Sequence, residues 1–184
     1  MEVILKPVAS KLDKNTFYHL ANDISREFKN KATVSVGTIV DPHSEPHFQS
    51  AFDKSRNQWD SFKLLEWIFD NFNPTGGTKI LGIFDVDAYS DGFDFVFGEA
   101  FYRGRVAVVY VSRLKQEYYG LRPNRTLLYE RLVKEAIHEL GHAFGLSHCK
   151  NSKCVMYFSI SLLDIDRKGR SFCSSCRGKY FKLD

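Results

Sequence analysis

Apolar residues recur along the chain with two periods, near two and near 3.6, and these periods divide it into elements. Val3-Ile4-Leu5 predicts a first strand, closed by Pro7. Phe17, Leu20, Ile24 and Phe28 fall three or four residues apart, the spacing of one helix face, and Asp13 can cap that helix over about 14–29. Thr33 to Val40 is rich in β-branched residues and predicts a second strand. The stretch from Asp41 to His47 carries two prolines, which forbid a helix, so His43 and His47 read as loop residues. Asp60 or Ser61 starts a second helix to about Phe72, with Phe62, Leu65, Ile68 or Phe69, and Phe72 as its buried face, and Pro74-Thr75-Gly76-Gly77 ends it. Lys79 to Phe84 is almost wholly apolar, as expected for a strand covered on both faces. Asp85 and Asp87 follow it. They are expected to hold a loop rather than calcium, because no further oxygen ligands cluster nearby. Phe93, Phe95 and Phe97 alternate with Asp94, Val96 and Gly98. With Arg103-Gly104 as a turn and Val106 to Val111 as a second apolar run, they predict a hairpin over 93–111.

The last long helix starts near residue 125, capped by Asn124 or Thr126. Its apolar stripe is Val133, Ile137, Leu140 and Phe144. On the other face the chain reads His138-Glu139-Leu140-Gly141-His142-Ala143-Phe144-Gly145-Leu146-Ser147-His148, or H-E-x-x-H-x-x-G-x-x-H. Two histidines four apart project from one helix face and can grip one cation. Gly145 can turn the chain sharply, which lets His148 return as a third nitrogen ligand. Three protein ligands and one open position are the pattern of a catalytic zinc, and Glu139 stands beside the first ligand, where it can act on water. At about 100° per residue Leu140 lies opposite His138, so the histidines are expected to face away from the core.

Composition adds bounds. The chain has 184 residues, 43% hydrophobic and 26% charged, enough for one domain with a proper core. A net charge of +4, spread along the sequence, argues against nucleic acid as the main partner. Arg167, Lys168, Arg170, Arg177, Lys179 and Lys182 make the tail basic, which a solvated face explains more simply. The first residues do not read as a signal peptide, and no apolar stretch approaches the ~20 residues of a membrane span. A reducing, cytoplasmic setting and a monomer are the expectation. In that setting Cys149, Cys154, Cys173 and Cys176, paired as C-x₄-C and C-x₂-C, suit a four-sulfur zinc site better than two disulfides. Because Cys149 directly follows His148, the second site would anchor the third ligand of the first.

Met156 comes two residues after Cys154, and a methionine turn beneath three zinc-binding histidines marks metzincins. The run from His138 to His148, the four cysteines, Met156, Asp85-Val86-Asp87 and Phe95-Val96-Phe97-Gly98-Glu99-Ala100 together resemble the archaemetzincins, a branch of the metzincin metallopeptidases. The resemblance covers nearly the whole chain. It implies an α+β, metzincin-like domain over 1–184: a twisted mixed sheet with one antiparallel edge strand and an active-site helix in 1–148, then a methionine turn and zinc-stapled tail in 149–184. It also implies two zinc ions per chain, one catalytic and one structural. The step from His148 to Met156 is shorter than in most metzincins, and the zinc-clamped loop can stand in for the missing chain.

The expected function is hydrolysis of peptide bonds in a peptide or protein substrate, with zinc water on His138, His142 and His148 and Glu139 as general base. Substrate is expected to lie as an added strand along an exposed edge over Phe95 to Phe101, with Phe95, Val96, Phe97 and Gly98 as its contact residues. Tyr157 is a candidate for ligating the metal or binding an oxyanion, with packing as its plainer role. A metal-stabilised binding or regulatory protein with little turnover is the competing class.

Overall fold

The computed structural model describes residues 1–29 and 31–182. The apolar run ending at Phe84 becomes the central strand. β1 (Glu2–Val8) and β9 (Val106–Tyr110) both pair with β5 (Thr78–Phe84) in parallel, one on each side. Both faces of β5 are therefore covered: Leu81 and Ile83 enter one apolar core, Ile80 and Phe84 the other. β2 (Thr33–Val36) and β8 (Gly98–Ala100) complete a five-stranded sheet in the order β2-β1-β5-β9-β8, with only β8 antiparallel to its neighbour.

Two strand limits differ from expectation. Pro7 does not close the first strand, which runs through it to Val8. Its carbonyl accepts Val40 N–H at 2.9 Å, on the side where β2 has already ended, so its ring displaces no ladder donor. The second strand stops at Val36 instead of Val40, and Val40 rejoins Val8 only through an isolated bridge.

Helix starts follow the caps. Asp13 accepts Thr16 N–H at the head of α1 (Lys14–Glu27), which buries Phe17, Leu20 and Ile24. Pro46 opens a single helical turn, α2 (Pro46–Gln49). His47 is thus helical, contrary to the loop reading, because proline at the first helical position lacks only an N–H that has no partner there anyway. His43 stays outside it. After β3 (Phe52–Asp53) and β4 (Gln58–Asp60), Asp60 caps α3 (Ser61–Phe72). Leu65 and Ile68 of the predicted α3 face are buried, but Leu64 and Trp67 complete that face instead of Phe62, which is 52% exposed, and Phe69, 39% exposed. The Trp67 indole N–H donates to Glu45 at 3.0 Å, which fixes that choice.

The predicted hairpin over 93–111 is split between two sheets. β7 (Phe93–Val96) pairs with β6 (Ala88–Ser90) in a second sheet of order β3-β4-β6-β7, and only β8 pairs with β9. Phe97, buried in the core, is where the chain passes from one sheet to the other. Asp85 and Asp87 hold a loop, as expected: Asp85 pairs with Lys115 and Asp87 with Arg113 and the Tyr118 hydroxyl.

Asn124, rather than Thr126, caps α4 (Arg125–Ala143) by accepting Leu127 N–H at 3.0 Å. Leu132, Val133, Ala136, Ile137 and Leu140 face the sheet core. The opposite face is buried too, because the chain returns over it through α5 (Leu162–Arg167), before α6 (Ser174–Lys182) packs Tyr180 against Phe28 and Phe144. The histidines do point away from the apolar stripe, yet His138 is only 5% exposed. The tail charges are less solvated than the sequence suggested. Arg170 pairs with Asp23 and Glu130, Arg177 with Glu27, and Lys168 is buried against Glu135. Among the described residues no helix is long and apolar enough to cross a membrane.

Candidate metal centre

α4 ends where Gly145 adopts φ +96°, a conformation that side chains disfavour. Gly145 N–H bonds to His142 O and Leu146 N–H to Gly141 O, both at 2.8 Å, the paired bonds of a Schellman end. The reversal brings His148 Nε2 to 3.2 Å from His142 Nε2, which lies 3.1 Å from His138 Nε2.

Hydrogen bonds at the far side of the rings set their protonation. His138 Nδ1 lies 2.8 Å from Val155 O and His142 Nδ1 2.7 Å from Leu146 O. A carbonyl only accepts, so each Nδ1 carries the proton and each Nε2 of the neutral ring presents a lone pair. Burial depresses the pKa of both, His138 well below its usual value and His142 to about 4, so the rings are neutral near pH 7. Lone pairs converging at this distance repel, and a cation among them reverses the sign. Tetrahedral zinc with Zn–N of about 2.0–2.1 Å sets ligand nitrogens about 3.3 Å apart, so the three-histidine donor set fits zinc.

Glu139 extends from the same helix turn into the adjoining cleft. Its carboxyl pKa is raised well above the usual range, first by burial and then by the neighbouring Glu135 carboxylate. Gly98 on the edge strand makes room for it. A Cβ at Gly98 would stand 2.6 Å from Glu139 Cγ and 2.7 Å from Val108 O. Gly98→Ala is therefore expected to cost about 1–3 kcal/mol of stability through overpacking, and to lower kcat/KM in the fraction that remains folded. Thermal melts and steady-state kinetics on one preparation check both.

The cleft is a cavity of about 530 Å³. Phe95, Val96, Phe97 and Gly98 line one wall, with the three histidines and Glu139 opposite. Tyr157 is not among the lining residues. Its neighbour Phe158 is, with its ring 4.7 Å from that of His148. Tyr102, Glu135 and Phe158 also line the cleft and do not figure among the residues expected there from the sequence. Glu135 carried the clearest signal, since it lies four residues before Glu139 and so shares its helix face.

The edge beside this cleft is open. Tyr110 N–H bonds to Phe97 O and Phe101 N–H to Val106 O, so alternate residues of β8 face β9. Gly98 and Ala100 consequently turn their backbone N–H and C=O outward.

In the tail, one sulfur from each of Cys149, Cys154, Cys173 and Cys176 lies within 4.8 Å of all the others. The cysteines are free, and Cys149 Sγ to Cys173 Sγ is 3.8 Å. Zinc with Zn–S of about 2.3 Å separates tetrahedral sulfurs by about 3.8 Å, so this set also fits. The Cys173 thiol is lowered to about 7, chiefly by the Cys176 N–H, whereas burial raises Cys154 and Cys176. Cys149 N–H bonds to Met156 O at 2.8 Å, tying the cysteine loop to the methionine. Met156 is fully buried with its sulfur against Gly141, where a Cβ would collide with it. Gly141, between the two helical histidines, thus gives Met156 its seat beneath them.

The sequence model for Peptidase family M54 matches residues 2–182. The archaemetzincin of Pyrococcus horikoshii is 48% identical over 138 residues, covering 73% of this chain and 72% of that protein. The archaemetzincin of Methanocaldococcus jannaschii is 44% identical over 129 residues, 70% and 69% of the two chains. Among solved structures, the archaemetzincin of Archaeoglobus fulgidus, complexed with malonate, superposes with a TM-score of 0.78 at 36% identity, over 97% of this chain and 99% of that one. A zinc-dependent peptidase from Methanocorpusculum labreanum gives 0.81 at 31% identity, over 96% and 99%. The chain belongs to peptidase family M54, the archaemetzincins, and is a zinc metallopeptidase.

Proposed function

We propose that His138, His142 and His148 hold the catalytic zinc, that Glu139 is the general base, and that the four cysteines hold a second, structural zinc. The observation that carries this reading is the convergence of three imidazoles, His142 Nε2 lying 3.1 Å from His138 Nε2 and 3.2 Å from His148 Nε2, in a cleft that Glu139 also lines. When bound, zinc supplies Lewis acidity, which polarises the scissile carbonyl and makes water nucleophilic near neutral pH. The Val155 and Leu146 carbonyls hold the His138 and His142 rings in the tautomer that ligation needs. Glu139 makes no hydrogen bond among the described residues, so its oxygens are free to take the proton of the attacking water. It then delivers that proton to the nitrogen of the departing amine. The outward N–H and C=O groups of Gly98 and Ala100 pair with the substrate backbone as an added strand, and Phe95 and Val96 shield the site from bulk water.

Metal counting tests the assignment. Wild-type protein is expected to carry two zinc ions per chain and His142→Ala one, measured by atomic absorption after exhaustive dialysis. A single ion in the wild type, or two in the variant, would refute it.

A further inference from the structure

Lys168 has no solvent-exposed side-chain surface, and the Glu135 side chain is 4% exposed. Lys168 Nζ lies 2.8 Å from Glu135 Oε1, 3.4 Å from Tyr157 O and 3.5 Å from His138 Nδ1. Burying an ion pair gains little net stability, because desolvation of both charges offsets their attraction. What this pair does achieve is connection. Glu135 belongs to α4, one turn before Glu139, and Tyr157 to the segment that follows Met156.

That segment orients two of the three histidines. Val155 O accepts the His138 Nδ1 proton, and the Phe158 ring packs on the His148 ring. A shift of its backbone would therefore turn His138 about its ligand axis and release His148. The segment's other hydrogen bonds run to its own neighbourhood in the tail: Val155 N–H to Ser171 O, Cys149 N–H to Met156 O, Tyr157 N–H to Cys154 O and Ser159 Oγ to Tyr157 O, so none of them links it to α4. Lys168 reaches the segment from inside, at the level of His138.

We propose that Lys168, held by Glu135, is a positioning residue for the three-histidine site, fixing the 155–158 backbone so that His138 and His148 converge. The inference rests on the reading that those histidines bind zinc. Glu135 lines the cleft as well, and Lys168 compensates a charge that would otherwise lie bare beside Glu139.

The test must separate positioning from stability. Lys168→Met alone leaves Glu135 buried and unpaired, so Glu135→Leu with Lys168→Met, an apolar pair of similar volume, is the informative variant. It is expected to melt near the wild-type temperature, to keep its tail ion, and to bind zinc at the histidine site 10–100-fold more weakly by chelator competition. Wild-type affinity in the folded double variant overturns the proposal. Should the apolar pair not fold, Glu135→Gln with Lys168→Gln takes its place. Glutamine is one atom shorter than lysine and does not reach Tyr157, so the same weakening is expected and the same null result decides against it. If wild-type protein lacks a zinc that depends on His142, the underlying histidine assignment fails instead, and metal counting tells the two failures apart.

Discussion

Glu139→Gln is expected to retain both metal ions and to lose about 10²–10⁴-fold in kcat, the range that a positioned acid–base group contributes. The substitution keeps the side chain's shape against Gly98, so the edge strand and the histidines have no reason to move. What it removes is the ability to accept a proton. Because the same carboxyl would serve twice, taking a proton from water and returning one to the amine, neither half of the reaction escapes the loss. KM should change little, since no substrate-binding group is altered. Measuring kcat and zinc content on the same sample decides the point, and a variant that turns over at the wild-type rate would remove Glu139 from the mechanism.

Cys173→Ser is expected to produce the largest structural effect. A four-cysteine zinc is worth about 10–16 kcal/mol in small peptides, and its loss here would loosen more than one loop. Cys149, which shares the site, is bonded through its N–H to Met156 and adjoins His148. Release of the tail ion should therefore lower the melting temperature and weaken zinc at the histidines as well. Hydrogen exchange should rise across 149–182 before it rises in β5. Two retained ions and an unchanged melting curve would show that the cysteines are not a structural clamp.

The gathering of the three histidines and of the four cysteines is legible in the sequence because its geometry is local. Four-residue helical spacing, one glycine and two short cysteine loops specify where donor atoms fall with little help from tertiary structure. Helix starts were legible for the same reason: the side chains of Asp13, Asp60 and Asn124 bond to N–H groups two or three residues ahead. The second sheet was not. Its strands are two to four residues long, and β4 pairs in parallel with β6 from far along the chain, a contact that no local pattern encodes. The alternation of Phe93, Phe95 and Phe97 was real, yet it spans a crossing between sheets, which periodicity cannot reveal. The α3 face was misjudged because Phe62 and Phe69 fit a helical stripe as well as Leu64 and Trp67 do, and the Glu45 anchor that chooses between them lies in a preceding loop. Lys168 looked like one more solvated charge because its partner lies in α4, a different element.

The three-residue length of β8 has a consequence for handling the protein. An unpaired strand edge that welcomes a peptide also welcomes a neighbouring molecule, and long flat edges are routes to insoluble assemblies. Two outward-facing residues offer too few bonds to sustain such growth, whereas an extended ligand gripped also by the cleft and a metal has further anchorage. On the proposed reading, so brief an edge would accept a substrate backbone while giving a second copy of the chain little to extend.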